Sequence, residues 1–63
     1  MNNTTYNEGI EAAIAFTAAR ADGLYEWMLK LPIGSDLRVQ LSTRSGELLE
    51  LVHDLRSLIR VDA

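Results

Sequence analysis

The sequence has no cysteine and only one histidine, His53, among its 63 residues. No disulfide and no thiolate metal site can form, and one histidine cannot build a histidine cluster. A chain of this length buries only about 60% of the surface that its unfolded form exposes, so stability is marginal without disulfides, a metal or oligomerisation. The composition therefore favours self-association, and we predict no cofactor.

Long apolar runs and an excess of positive charge are also missing. Charged residues interrupt the most apolar part of the chain, namely Arg20, Asp22, Glu26 and Lys30, so no segment is predicted to span a bilayer. The start, MNNTTYNEG, lacks the basic region and apolar run of a secretory signal. The net charge of −3 works against general attraction to polyphosphate. We predict a cytoplasmic protein with no membrane partner.

Catalytic signatures are absent from the sequence as well. The four glycines are scattered and form no phosphate-binding loop. His53 lies near Glu50 and Asp54, but a histidine–carboxylate pair needs a nucleophile or a substrate pocket around it to act in catalysis. A solvated helix face is the better explanation of these three residues. We therefore predict that the protein is not an enzyme.

The first half of the chain, residues 5–31, is predicted to form one helix. Thr5 and Glu8 match a capping box at its start, and Pro32 disfavours helical geometry at the residue before it. Apolar or small residues recur at alternating steps of four and three, which is the pattern of a heptad seam. These residues are Ile10, Ile14, Thr17, Ala21, Leu24, Met28 and Leu31.

A tight loop is predicted at residues 32–35, with Ser35 as the N-cap of a second helix over residues 36–60. A β-hairpin competes with this helix, because residues 36–44 alternate polar and apolar and Ser45-Gly46 suits a turn. Residues 48–52 would form the return strand, but they do not alternate, so the helix is favoured.

In the helical interpretation, a second seam follows the same steps of four and three. It comprises Leu37, Leu41, Arg44, Leu48, Leu51, Leu55 and Leu58. Arg44 is the one misfit. Breaks at Gly23 and Gly46 remain open, because glycine inside a helix costs roughly 1 kcal/mol relative to alanine.

Two helices of similar length joined by a tight loop predict an all-α fold, a single antiparallel helical-hairpin domain over residues 1–63. The apolar surface of the second helix is too wide for one partner helix. Two hairpins packed as a four-helix bundle would cover it, so we predict a homodimer. The predicted core and dimer positions are Ile10, Ile14, Leu24, Met28, Leu48, Leu51, Val52, Leu55 and Ile59.

A second stripe beside the first seam carries Phe16, Arg20 and Trp27 at helical spacing. Tryptophan and arginine are enriched in binding hot spots. Residues 20–44, around the loop, carry a charge of +1, whereas the rest of the chain carries −4. We predict a binding site for an unidentified partner protein, made of Arg20, Trp27, Lys30 and Arg38. Alternatively, Phe16 and Trp27 complete the dimer interface.

Two rival hypotheses belong to other functional classes. Nucleic-acid binding would use basic residues combined across a dimer, Arg20, Lys30, Arg38 and Arg44, but the negative net charge disfavours it. A partial helix-turn-helix match at Ala19, Gly23 and Leu24 is interrupted by Asp22 and Pro32. The other rival is a purely structural oligomerisation unit without a separate ligand.

The predicted architecture resembles the Rop family of small plasmid RNA-binding proteins, which are dimers of helical hairpins. The resemblance covers the helix lengths, the tight loop and the seam of small and large residues, but not a basic face that reads RNA. The stretches ARADGLYEWMLKLP and LVHDLRSLIRV resemble small proteins encoded in accessory regions of lambda-like temperate phages. This second resemblance implies a regulator of phage development that acts by contact with an unidentified host or phage protein in the bacterial cytoplasm.

Overall fold

A computed structural model describes residues 3–61 as two helices, α1 (Asn3–Leu29) and α2 (Asp36–Ser57), packed antiparallel against each other. No strand occurs within these residues, so the predicted all-α helical hairpin is confirmed and the β-hairpin alternative is wrong. The predicted domain also includes residues 1, 2, 62 and 63, which lie outside the described residues.

The bounds of α1 differ from the prediction at both ends. It begins at Asn3, so Thr5 lies inside the helix and is not its N-cap. It ends at Leu29 instead of residue 31. The backbone N–H groups of Lys30 and Leu31 donate to carbonyls only three residues back, at 3.0 and 3.1 Å, so the last turn tightens before Pro32. The proline disfavours helical geometry at Leu31, which explains the early end.

The loop reverses the chain at Gly34, whose φ of 91° lies in the left-handed region that glycine adopts without strain. The predicted N-cap of α2 is confirmed, because Ser35 Oγ accepts a hydrogen bond from the Arg38 N–H at 3.1 Å. Asp36 follows in the first turn, where a carboxylate is favoured by the helix dipole.

The seam predicted for the first helix is confirmed. In the second helix, every second residue of the predicted seam is replaced by the residue that follows it in the sequence, so the helix is rotated relative to the prediction. In α1, Thr17, Ala21, Leu24 and Met28 are buried and Ile10 and Ile14 are half-buried, as is Leu31 just beyond the helix. The inward positions of α2 are Arg38, Leu41, Ser45, Leu48, Val52 and Leu55, and Ile59 continues them beyond the helix. The predicted seam positions Leu37, Arg44, Leu51 and Leu58 are exposed in the hairpin.

The rotation of α2 has a physical reason at the middle of the hairpin. Ser45 is 5% exposed, and its Oγ donates to the carbonyl oxygen of Ala21, itself 1% exposed, at 3.2 Å. A serine fits between two closely packed helices, whereas the guanidinium of Arg44 would be desolvated there. The misfit of Arg44 in the predicted seam thus disappears.

The apolar core is small and lies toward the loop. Leu24, Met28 and Leu41 form its buried cluster, with Leu31 and Leu48 packed against it. Both helices run without a break through Gly23 and Gly46. The hairpin therefore keeps two straight lateral surfaces along its length.

α2 ends at Ser57, three residues earlier than predicted, because the following segment attaches to the start of α1. Asn7 Nδ2 donates to the Arg60 carbonyl at 2.7 Å, and the Arg60 N–H donates to Asn7 Oδ1 at 2.8 Å. The Arg60 guanidinium carbon also lies 3.8 Å from the centre of the Tyr6 ring, within cation–π range. We call this arrangement the clasp. It joins the two ends of the hairpin opposite the loop.

Replacing Asn7 with alanine should open the clasp and speed hydrogen exchange at the Arg60 amide by about fivefold, since one such hydrogen bond contributes about 1 kcal/mol. NMR-detected hydrogen exchange measures this rate. The control is Gln40→Ala, which removes an exposed amide that makes no hydrogen bond within residues 3–61. Unchanged exchange at Arg60 in Asn7→Ala would contradict the clasp.

Candidate functional site

One lateral surface of the hairpin combines an arginine and a tryptophan from α1 with leucines and an arginine from α2. In two antiparallel helices, residues that flank the buried seams on the same side form one continuous surface along the hairpin. We call this side the arginine surface. It comprises Arg20, Trp27, Leu37, Arg44, Leu51 and Leu58, all exposed.

The middle of the arginine surface is a shallow groove between the helices. Arg20 and Leu24 line it from α1, and α2 contributes a larger share. The α2 residues are Arg44, Glu47, Leu48 and Leu51. Within residues 3–61 neither arginine makes an ion pair, and neither does Glu47. The groove is therefore apolar at its floor and cationic at its rim, with one carboxylate among the cations.

The arginine surface unites residues that the sequence assigned to different roles. Arg20 and Trp27 were predicted to bind a partner, whereas Leu51 was predicted to lie in the core or the dimer interface. The structure removes Leu51 from the core of the hairpin and leaves 45% of it exposed, close to the 49% of Trp27. Phe16, 77% exposed, lies at the outer edge of the same side.

The opposite side of the hairpin has a different chemistry. We call it the tyrosine surface, and it comprises Ala18, Tyr25, Leu29, Val39, Ser42 and Leu49. Leu29, Val39 and Leu49 are each more than half exposed. These six residues carry no charge. Charged residues border this side at Glu11 and Arg56 toward the clasp, at Asp22 and His53 on the edge, and at Arg38 near the loop, which lines a groove with Val39 and Ser42.

The remaining predicted partner residues, Lys30 and Arg38, stand near the loop. Lys30 is exposed directly after α1. Arg38 is half-buried in the seam, where its Nη1 donates to the carbonyls of Leu31 and Met28 at 2.8 and 3.2 Å. The Met28 carbonyl also accepts the Leu31 N–H, so Arg38 adds a second bond there and a bond to the Leu31 carbonyl just beyond α1. Arg38 thus closes the loop, and it does not belong to the arginine surface.

Sequence reasoning missed this capping role of Arg38 and the clasp made by Asn7 and Arg60. The capping role has a usable sequence signal. A basic side chain stands three residues after the N-cap of a helix that follows a tight loop. The clasp depends on contacts between residues 53 positions apart, and no local pattern indicates it.

His53, Glu50 and Asp54 are exposed on the outer face of α2, around a depression that also touches Gly46 and Leu49. Across residues 3–61 no group of three or more histidine, cysteine, aspartate or glutamate side chains could hold a metal ion. Neither α1 nor α2 has an apolar stretch that would reach across a membrane.

Comparison of the chain with protein families, with curated proteins and with solved structures found no match. Functional inference therefore depends on the two lateral surfaces and on the sequence.

Arg38→Met keeps most of the aliphatic stem of Arg38 but removes both hydrogen bonds to the end of α1. We expect it to lower the free energy of unfolding by about 1–3 kcal/mol, the range for hydrogen bonds from a charged donor. Urea unfolding at one fixed protein concentration measures the change. Arg56→Met is the control, because Arg56 is exposed and contributes only its interaction with the helix dipole, below about 1 kcal/mol. Equal losses in the two variants would rule out the capping role.

Proposed function

We propose that this protein is a small non-enzymatic adaptor or regulator that forms a homodimer and acts by binding another protein. The observation that carries the proposal is the small core of the hairpin. Among residues 3–61 only five hydrophobic residues are buried, and two of them are alanine and valine, whereas large apolar side chains are exposed on both lateral surfaces. A hairpin of this size gains stability when a second chain covers one of these surfaces.

The tyrosine surface is the one that suits a second copy. A two-fold axis pairs a surface with itself, so that residues near the axis lie close to their own copies in the partner chain. Around the tyrosine surface such packing joins uncharged residues, Ala18, Tyr25 and Leu49 among them. Around the arginine surface it would gather Arg20 and Arg44 of both copies, and like charges at an interface oppose association. The proposed dimer is thus a four-helix bundle with the arginine surface on its outside.

The two resemblances noted in the sequence agree with this proposal. A dimer of helical hairpins is the architecture of the Rop family, and a regulator acting by protein contact in the bacterial cytoplasm is what the likeness to lambda-like phage proteins implies. The alternative is nucleic-acid binding through Arg20, Lys30, Arg38 and Arg44. It is weakened by Arg38, whose guanidinium is engaged by the end of α1.

Sedimentation equilibrium tests the dimer and its surface with one matched pair of variants. Leu49 and Leu51 lie on the same helix with similar exposure, 52% and 45%, but on opposite lateral surfaces. Leu49→Gln should weaken the dimer by roughly a thousandfold in Kd, since each copy loses about 2 kcal/mol of apolar burial. Leu51→Gln should leave the Kd within about threefold of the wild type.

The results of this experiment distinguish a monomer from a dimer and one interface from the other. A wild-type protein that is monomeric and folded at micromolar concentration would refute the homodimer. A dimer that is weakened by Leu51→Gln and not by Leu49→Gln would place the interface on the arginine surface. Circular dichroism of both variants controls for loss of the helices.

A further inference from the structure

The arginine surface presents cations in an apolar setting without using them inside the chain. Arg20 and Arg44 line one groove whose floor is made by Leu24 and Leu48. Neither arginine has an ion-pair partner within residues 3–61, although Glu47 lines the same groove. Guanidinium groups are weakly hydrated and form paired hydrogen bonds with carboxylates, which suits them to partly desolvated contacts between proteins.

Apolar side chains lie on both sides of these arginines along the hairpin. Because Ser45 lies opposite Ala21, Arg20 and Arg44 stand at nearly the same height. Trp27 is seven residues from Arg20 toward the loop, and Leu51 is seven residues from Arg44 toward the clasp. Seven residues of helix span about 10 Å. Along roughly 20 Å of its length, the surface is therefore apolar at Trp27, cationic at Arg20 and Arg44, and apolar again at Leu51.

We propose that this groove binds an acidic amphipathic helix of a partner protein. Such a helix presents carboxylates at its centre, opposite Arg20 and Arg44, and apolar residues about two turns away on either side. One flank packs on Trp27, the other on Leu51. A helix lying in an apolar groove with anchors at helical spacing is an established mode of recognition between proteins. This inference rests on the proposed adaptor function and names the chemistry of its partner.

Other occupants fit the surface less well. A second copy would bring the arginines of both chains together, as argued for the dimer. A nucleic-acid backbone would meet Arg20 and Arg44 but would also lie against the exposed faces of Trp27 and Leu51. The chain has a net charge of −3, which adds long-range repulsion to that contact.

The probe for the test is a synthetic amphipathic peptide of roughly 21 residues, or three heptads, with leucine at the core positions and a central pair of glutamates. It contains no tryptophan, so the only indole in the mixture belongs to Trp27. Saturable change in Trp27 emission reports binding at the groove. We expect the glutamate peptide to bind at micromolar concentration, and a peptide with glutamine at both central positions to bind about tenfold or more weakly.

Variants of the protein show which residues cause the preference for the glutamate peptide. The double variant Arg20→Gln with Arg44→Gln should lose the preference for the glutamate peptide, because no cation remains on the groove. Arg56→Gln should keep it, since Arg56 lies on the other side of the hairpin. A third arm titrates a duplex oligonucleotide of mixed sequence at the same salt concentration, and we expect no saturable change below the millimolar range.

Each contrary result overturns the proposal. Equal binding of the glutamate and glutamine peptides, or a double variant that still prefers glutamate, means that the arginines do not select the partner. Tighter binding of the oligonucleotide than of the glutamate peptide assigns the groove to phosphate. Sedimentation of the wild-type protein keeps the two proposals apart. A dimer that binds no peptide refutes this groove alone, whereas a monomer that binds the glutamate peptide refutes the homodimer alone.

Discussion

The close approach of α1 and α2 at Ala21 and Ser45 determines most of what the hairpin presents to other molecules. The two residues are nearly fully buried, and a hydrogen bond of 3.2 Å joins the serine hydroxyl to the alanine carbonyl. Only small side chains let two helix backbones come this near. Because Ser45 points inward, Arg44 on one side of it and Gly46 on the other must point outward. The rotation of the whole of α2 follows from that placement.

Much of the fold follows from local sequence signals, and α1 shows this best. Its buried residues Thr17, Ala21, Leu24 and Met28 follow one seam at steps of four and three, and Ser35 follows a proline–glycine loop as an N-cap. α2 offers two seams with the same spacing, because leucines occupy positions on both. Counting leucines favours the wrong one. The cost of burying the Arg44 guanidinium, weighed against the fit of Ser45, selects the right one.

The candidate site was harder to predict than the fold for the same reason. The sequence places Arg20 and Trp27 on one stripe of α1 but does not say which part of α2 lies beside them. Once the rotation of α2 is known, Arg44 and Leu51 join them, and Leu49 moves to the opposite surface with Tyr25. The separate surfaces proposed for self-association and for partner binding depend on that one rotation. The clasp and the cap by Arg38 add stability at the two ends without changing either surface.

The placement of Ser45 opposite Ala21, on which the rotation of α2 depends, can be measured directly, because the natural chain has no cysteine. Two double variants share Ala21→Cys, and the second change is Ser45→Cys in one and Leu48→Cys in the other. Under mild oxidation, the pair at 21 and 45 should form an intramolecular disulfide, since disulfides need Cα atoms within about 7 Å. The pair at 21 and 48 should stay reduced within the monomer. Closure of the 21 and 48 pair, with the 21 and 45 pair open, would contradict the packing and both lateral surfaces.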